Sequence, residues 1–299
     1  MVPRVHARIA GLGRFAFGGL SRGAKTTAAT ILAAFFIAGP APAWSPIVPT
    51  VTQPIERGPA LWVVQDRDTT IYLFGTFHSL DSNANWFGPR VRAAFDASDE
   101  LVLETLVPED PAELFAALAR TSLTREPRAG EPVVATEGAP SFVASAGQAM
   151  AAGSDLGMSV DHGADAVLRR AAGASGKPVE GLESFDSQLR MFGSLPPTPR
   201  TRVKQGGGTV STFIGDMQSA WKRGDNDGIA VILGNVRSQS PLAYKTLFTD
   251  RNATWAGWIA DRLAQPGTVF VAVGTGHLVG PDSVQRYLAA RGIASARIS

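Results

Sequence analysis

Two of the four histidines in this chain close the same short pattern, Gly75-Thr76-Phe77-His78 and Gly274-Thr275-Gly276-His277. Neutral imidazole is the commonest metal ligand, and it is also the side chain best suited to moving a proton near neutral pH. A lone histidine is most simply a cap or a satisfied core residue. Two in matching contexts point instead to a shared site. His162, in Val160-Asp161-His162-Gly163, has no such context and reads as a loop or helix-start residue near a pocket rim.

Acidic and basic partners come from other segments. Glu104 closes an apolar run, so it is expected at a sheet edge, where a carboxylate can bind a divalent cation or orient a histidine. Glu183 follows Leu182 after another short run and has the same two readings, ligand or base, beside the plain one of a strand-end acid. Arg251, next to Asn252 at a predicted helix start, is placed to meet a substrate carboxylate or an oxyanion; a surface salt bridge is an equal alternative. Two histidines with one or two carboxylates suit Zn, Mn or Co with positions left open for water. A metal-free arrangement, one histidine acting as base and a glutamate as its orienter, uses the same residues.

These side chains need strands to carry them. Thr70 to Phe74 precedes the first histidine motif and Thr268 to Val273 the second, both rich in β-branched and aromatic residues. Each therefore reads as strand, glycine turn, imidazole, with the glycine letting the backbone turn sharply at the C-terminal sheet edge. Leu61 to Gln65 and Thr69 to Phe74, separated by Asp66-Arg67-Asp68, predict an antiparallel hairpin at the start. Val91, Ala94 and Phe95 after Pro89 predict a helix, Glu100 to Glu104 a strand, and Asp110-Pro111 the start of a helix reaching about Ala119. Asp165 to Ala172 reads as a helix and Gly176 to Glu183 as a turn and strand, and Ser184 caps a helix that stops at Leu195-Pro196. Helical spacing returns through Phe213, Met217, Trp221, Trp255, Trp258 and Ile259. The chain closes as strand, second histidine motif, a helix after Pro281 and a last short strand near Ala296 to Ile298. The segment Arg125 to Gly153, rich in Pro, Gly, Ala and Ser, fits either a loop over the site or a weakly patterned helical pair. The expected fold class is α/β (α+β): a central mixed β-sheet flanked by helices, opened by a hairpin, with a helical insertion at about 200–264 before the last strand pair.

Composition narrows the function classes. Residues 1–43 carry Arg4, Arg8, Arg14, Arg22 and Lys25 without an acid, then an apolar block and Ala41-Pro42-Ala43. That is the pattern of a signal peptide, cleaved after Ala43, and predicts export to the periplasm or medium. An uncleaved N-terminal membrane anchor is the alternative, although the block is short for a bilayer span of roughly 20 residues. Residues 44–59, with four prolines, read as a tether, leaving 60–299 as one domain. The leader holds five of the 28 basic residues and none of the 26 acidic ones, so the remainder carries a net charge of about −3. No basic stripe with interleaved aromatics is present, which removes the electrostatic footprint of nucleic-acid binding. The chain has no cysteine, which excludes disulfides, a thiol nucleophile and thiolate metal sites. There is no H-E-x-x-H, P-loop or credible dinucleotide fingerprint, and the G-x-S-x-G match at Gly19 to Gly23 lies in the leader.

Taken in order, Leu61-Trp62, Tyr72 to His78, Leu101 to Glu104, Gly176-Lys177-Pro178-Val179 with Gly181-Leu182-Glu183 and Gln188-Leu189, Arg251-Asn252 with Trp255, and Val273 to Gly280 resemble the TraB/GumN family, related to the Tiki and PrgY proteins. The resemblance spans nearly all of the chain after the leader. It implies a compact α/β domain and, by way of the Tiki relatives, a metal-dependent peptidase whose site residues carry over to His78, His277 and Glu104, with Arg251 the matching arginine. Similarity of the wider group to erythromycin-esterase-like and ChaN-like proteins leaves a non-peptide substrate, or haem or iron binding, as alternatives. GumN-type members are associated by name with polysaccharide gene clusters. The Tiki relatives are membrane-anchored where this chain has a leader, so their signalling substrate does not carry over.

Overall fold

The apolar runs that lead into the two histidine motifs are neighbouring strands of one sheet. In the computed structural model, which describes residues 58–123, 151–195 and 210–299, β1 (Leu61–Gln65) and β2 (Thr69–Thr76) form the expected antiparallel hairpin. The turn is held by Asp66, whose carboxylate accepts the backbone N–H of Thr69 at 2.8 Å. A short β3 (Leu80–Asp81) pairs antiparallel with β5 (Met158–Ser159) apart from the main sheet. The main sheet also contains β4 (Glu100–Thr105), β6 (Val179–Glu183), β7 (Gly267–Gly274) and β8 (Ala296–Arg297). Its order is β6-β4-β7-β2-β1-β8, with the first four strands mutually parallel, β1 antiparallel to β2, and β8 antiparallel to β1. Register pairs Thr76 with Gly274 and Thr105 with Glu183. The C-terminal ends of four adjacent strands therefore carry the two histidine motifs and the two glutamates, the edge at which open parallel sheets place their sites.

Both faces of the sheet are covered, so the central strands are apolar throughout rather than alternating. On one face Phe74 lies 5.4 Å from Trp86, 5.8 Å from Phe270 and 6.5 Å from Trp221, ring centre to ring centre. The other face is packed by Ile71, Leu73, Val271, Trp255, Ile259 and Leu288. Each fully buried Phe, Ile or Leu contributes roughly 1.5–3 kcal/mol of transfer free energy, and with no cysteine this burial must hold the sheet.

The covering helices are α1 (Pro89–Asp96), α2 (Pro111–Leu123), α3 (Ala164–Ser175), α4 (Phe185–Ser194), α5 (Val210–Lys222), α6 (Asn226–Gln239), α7 (Pro241–Tyr244), α8 (Asp250–Leu263) and α9 (Val284–Ala289). Several starts follow their local chemistry. Asp110 accepts the Ala112 N–H at 2.9 Å, and Ser184 accepts the Ser187 N–H at 3.2 Å. Helix α3 stops at Gly176, which takes the left-handed conformation at φ 67° and redirects the chain into β6. The expected helical insertion is present as α5 to α8. A π-helical segment, Lys245–Thr249, which the pattern of residues does not announce, joins α7 to α8.

The expected leader, nearly all of the tether, most of Arg125 to Gly153 and the first residues of the insertion lie outside the described residues. Among the described residues no helix is long and apolar enough to cross a membrane.

Candidate functional site

Sequence reasoning assigned the motif glycines to a sharp turn, and the structure gives them a different task. Gly75 lies inside β2, and neither Gly75 nor Gly274 has a positive φ. Their lack of a side chain lets neighbours approach. A Cβ on Gly75 would stand 3.0 Å from Thr275 Oγ1, and one on Gly274 would stand 3.0 Å from Glu104 Oε1 and 3.1 Å from His78 Nε2. The space above Gly274 is thus where the first histidine and the β4 glutamate come together.

The second histidine lies close to the same carboxylate. His277 sits in a 3-10 turn, Thr275–Leu278, directly after β7, and its Nε2 is 3.5 Å from Glu104 Oε1. Glu104 Oε1 also accepts the Gly274 backbone N–H at 2.5 Å. Both imidazoles are held by their other nitrogen. His78 Nδ1 is 2.8 Å from Asp165 Oδ2, and His277 Nδ1 is 2.6 Å from Asn252 Oδ1. Asn252 is fixed in turn because its Nδ2 donates to the Asp282 carbonyl at 2.6 Å, which leaves its oxygen to accept. His277 therefore carries its proton on Nδ1 and presents an Nε2 lone pair.

That lone pair faces Arg251. The guanidinium donates from Nη1 to His277 Nε2 at 3.1 Å and to the Leu247 carbonyl at 3.3 Å, from Nη2 to Glu104 Oε2 at 2.9 Å, and from Nε to Glu183 Oε1 at 2.8 Å. Four of its five N–H groups are engaged, so of the two readings open for Arg251 the surface salt bridge is ruled out, and the side chain is a buried hub. Arg251 is only 8 % exposed, His277 4 % and Glu104 8 %. Trp255 lies under both groups, 4.4 Å from the His277 ring and 4.5 Å from the Arg251 guanidinium. Phe248, supplied by the π-helical segment, also packs against His277 at 5.0 Å. The same segment supplies Leu247 O, so the local irregularity builds two walls of the site.

Burial and charge set opposite states for the two histidines. Burial is the largest influence on His277 and lowers its pKa to about 3, with Arg251 and His78 lowering it further against the pull of Glu104. His78 is exposed over 63 % of its side chain, and its pKa is raised to about 9, first by the charge of Asp165 and against the burial of its inner edge. Burial alone would raise the Glu104 carboxyl, yet the surrounding positive charge and the Gly274 N–H outweigh it and hold the group at about 2. With His277 neutral near pH 7, the Arg251 guanidinium is the fixed charge that keeps Glu104 ionised. Arg251 itself stays charged, because Glu104 and Glu183 overcome its desolvation.

All five residues singled out from the sequence, His78, Glu104, Glu183, Arg251 and His277, thus lie in one connected cluster. His162 stands apart, with Ser159 Oγ 3.1 Å from its Nδ1. Sequence reasoning missed Asp165 and the part played by Asn252. Asp165 is 87 positions from His78, and nothing in its helical context pairs the two.

By donor type, His78 Nε2, His277 Nε2 and Glu104 Oε1 suit a divalent cation, and holding each imidazole through Nδ1 is how metal-binding histidines are usually oriented. One contact has to open for that, since Arg251 Nη1 takes the His277 Nε2 lone pair. Among the described residues no three His, Cys, Asp or Glu side chains stand ready-grouped around a cation position.

The fold is α/β, and a cluster of histidine, glutamate and arginine lies at the C-terminal edge of its parallel strands. The family model for the TraB/PrgY/gumN family matches residues 60–297, and the chain belongs to that family. It is also similar to the uncharacterised protein YbaP of Escherichia coli (strain K12) and to that of Shigella flexneri, at 30% identity over 136 residues in each case. Those residues are 44% of this chain and 50% of each relative, so the chain spans about half the length of the curated relatives it matches. No solved structure matches.

Proposed function

We propose that the protein is a hydrolase, peptidase-like in its substrate, working with a divalent cation of the Mn, Zn or Co class held by His78, His277 and Glu104. The observation that supports this is the meeting of three strand ends on one carboxylate. His78 Nε2 and Glu104 Oε1 flank Gly274, and His277 Nε2 lies 3.5 Å from the same Oε1. When bound, such a cation supplies a Lewis acid that lowers the pKa of water and polarises a carbonyl. The chain's own residues prepare the site. Asn252 fixes the His277 tautomer, Arg251 keeps Glu104 ionised, and Glu183 steadies Arg251 through Nε. The remaining Nη2 hydrogen of Arg251 is the group that would meet a developing oxyanion. Glu183, one of whose oxygens holds the guanidinium, is the reserve ligand or base.

The contact between Arg251 Nη1 and His277 Nε2 occupies the lone pair a cation would use and so favours a second reading, in which the pocket captures a ligand such as a polysaccharide-related molecule without turnover; haem or iron capture, the metal form of that reading, needs the same contact to open. Metal analysis of purified protein separates the first step. Near-stoichiometric Mn, Zn or Co that is lost in His78→Ala and His277→Ala supports the cation site, and unchanged content in both variants refutes it. A peptide-library digest with added Mn decides between turnover and capture, since reproducible cleavage abolished in Glu104→Gln eliminates pure binding.

We propose further that the protein is exported, on the strength of the basic, apolar and small-residue order of residues 1–43. N-terminal sequencing of protein recovered from the periplasm or medium should begin at Trp44. An intact Met1 would favour the membrane-anchor alternative.

A further inference from the structure

The most exposed member of the site is held by a residue with no assigned role. His78 has 63 % of its side chain open to solvent, so packing does not fix its ring, and the terminal torsion of a free histidine is broad. His277, by contrast, is clamped between Trp255 and Phe248. What fixes His78 is the start of α3. Gly163 approaches so closely that a Cβ there would fall 2.1 Å from the His78 carbonyl oxygen, and the Ala164 N–H donates to the Phe77 carbonyl at 3.0 Å. Two residues further in position, Asp165 spends both oxygens on the same strand end. Oδ1 accepts the Thr76 hydroxyl at 2.9 Å, and Oδ2 lies 2.8 Å from His78 Nδ1. A carboxylate can only accept, so the ring must place a proton on Nδ1. Nε2, the atom beside Gly274 and Glu104, is then the nitrogen left for chemistry once the ring has lost its second proton.

We propose that Asp165 is the positioning residue of this site, acting through His78 by fixing both the ring direction and the tautomer that present Nε2 to Glu104. This rests on the reading of His78, Glu104 and His277 as the functional site. Thr76 sharpens the role, because its hydroxyl anchors one carboxylate oxygen and leaves the other for the imidazole. Asp165→Asn nearly preserves shape, but with its oxygen on Thr76 the amide NH2 would face Nδ1. That reverses the tautomer and puts the proton on Nε2, as an amide does when it replaces the carboxylate partner of a catalytic histidine.

The test begins without any metal. Long-range proton–nitrogen spectra of 15N-histidine-labelled full chain, recorded above pH 9 and assigned with His78→Gln, read the His78 tautomer directly. The expected result is Nδ1–H in the parent, Nε2–H in Asp165→Asn and a mixture in Asp165→Ala, with the His277 signals unmoved. The same tautomer in the parent and both variants would overturn the proposal. So would a change in the His277 signals equal to that at His78, which would mean general disruption. Titration with Mn(II) alone is the second arm, with affinity expected to fall about ten- to hundredfold in Asp165→Asn. If the tautomer switches while the parent itself binds no Mn(II), the positioning role stands and the cation reading of the site is what fails.

Discussion

Thr76 and Gly274 are register partners on adjacent parallel strands, so two motifs almost two hundred positions apart end side by side. From that pairing follows the first prediction. Gly274→Ala places a methyl 3.0 Å from Glu104 Oε1 and 3.1 Å from His78 Nε2, inside the site rather than in the core. The expected cost in stability is modest, about 1–3 kcal/mol as for other overpacked positions, while Mn(II) binding and any peptide cleavage are lost. Thermal melts set beside metal titration check it. A variant that keeps full binding would place the site elsewhere.

Arg251 is a buried cation shared by two carboxylates, and removing it strands both. Arg251→Ala should lower unfolding stability by roughly 3–5 kcal/mol, measured by urea titration. Adding Glu183→Gln to Arg251→Ala should recover part of the loss, because one of the uncompensated charges disappears. A double variant no more stable than the single one would show that Glu183 is not coupled to the guanidinium.

Acid should weaken the fold through two groups in succession. Folded His277 has its pKa depressed to about 3, so it binds fewer protons than in the unfolded chain, and its contribution is lost as pH falls from about 6.5 through 3. Glu104, held at about 2, adds a further loss between about 4.5 and 2. His78 has the opposite sign. Its raised value gives a contribution that is full below about 6.5 and fades as pH rises through 9, small because the ring is exposed. Denaturant midpoints measured from pH 3 to pH 10 should therefore fall at both ends, with His277→Gln flattening the slope between pH 6.5 and 3. An unchanged acid slope in that variant would contradict the buried neutral imidazole.

Two tryptophans make a matched stability test. Trp221 donates its indole N–H to the Gly75 carbonyl at 2.7 Å, whereas among the described residues the buried Trp255 Nε1 has no hydrogen-bond partner. Trp221→Phe leaves a buried acceptor behind and should cost about 1–3 kcal/mol more than the lost ring packing alone. Trp255→Phe carries no such term. Chemical denaturation of the two variants should rank Trp221→Phe as the more destabilised.

Much of the fold was legible because it is local. The hairpin over Leu61 to Phe74, the capping residues Asp110 and Ser184, the turn at Gly176 and the helical spacing around Trp255 each rest on contacts within a few positions, and all stand where those residues predict. The π-helical turn at Lys245–Thr249 was not legible, since the contacts its Phe248 and Leu247 make are to His277 and Arg251, and no pattern within the turn itself announces them. Four of the candidate site residues could be named from residue type and strand-end position, and Arg251 from its place at a helix start. Their partners could not.

By itself, the sequence determined the class of the protein: which runs become strands, which residues of unusual chemistry stand at their ends, and which family they belong to. Periodicity, turn chemistry and motif order are properties of neighbouring residues, and the chain states them directly. Only the tertiary structure decided that β2, β7, β4 and β6 lie in that spatial order, that Arg251 is a buried hub, and that Asp165 and Asn252 hold the two imidazoles. Strand order and long-range hydrogen bonds are set by how whole faces pack, and no short stretch of residues contains that information.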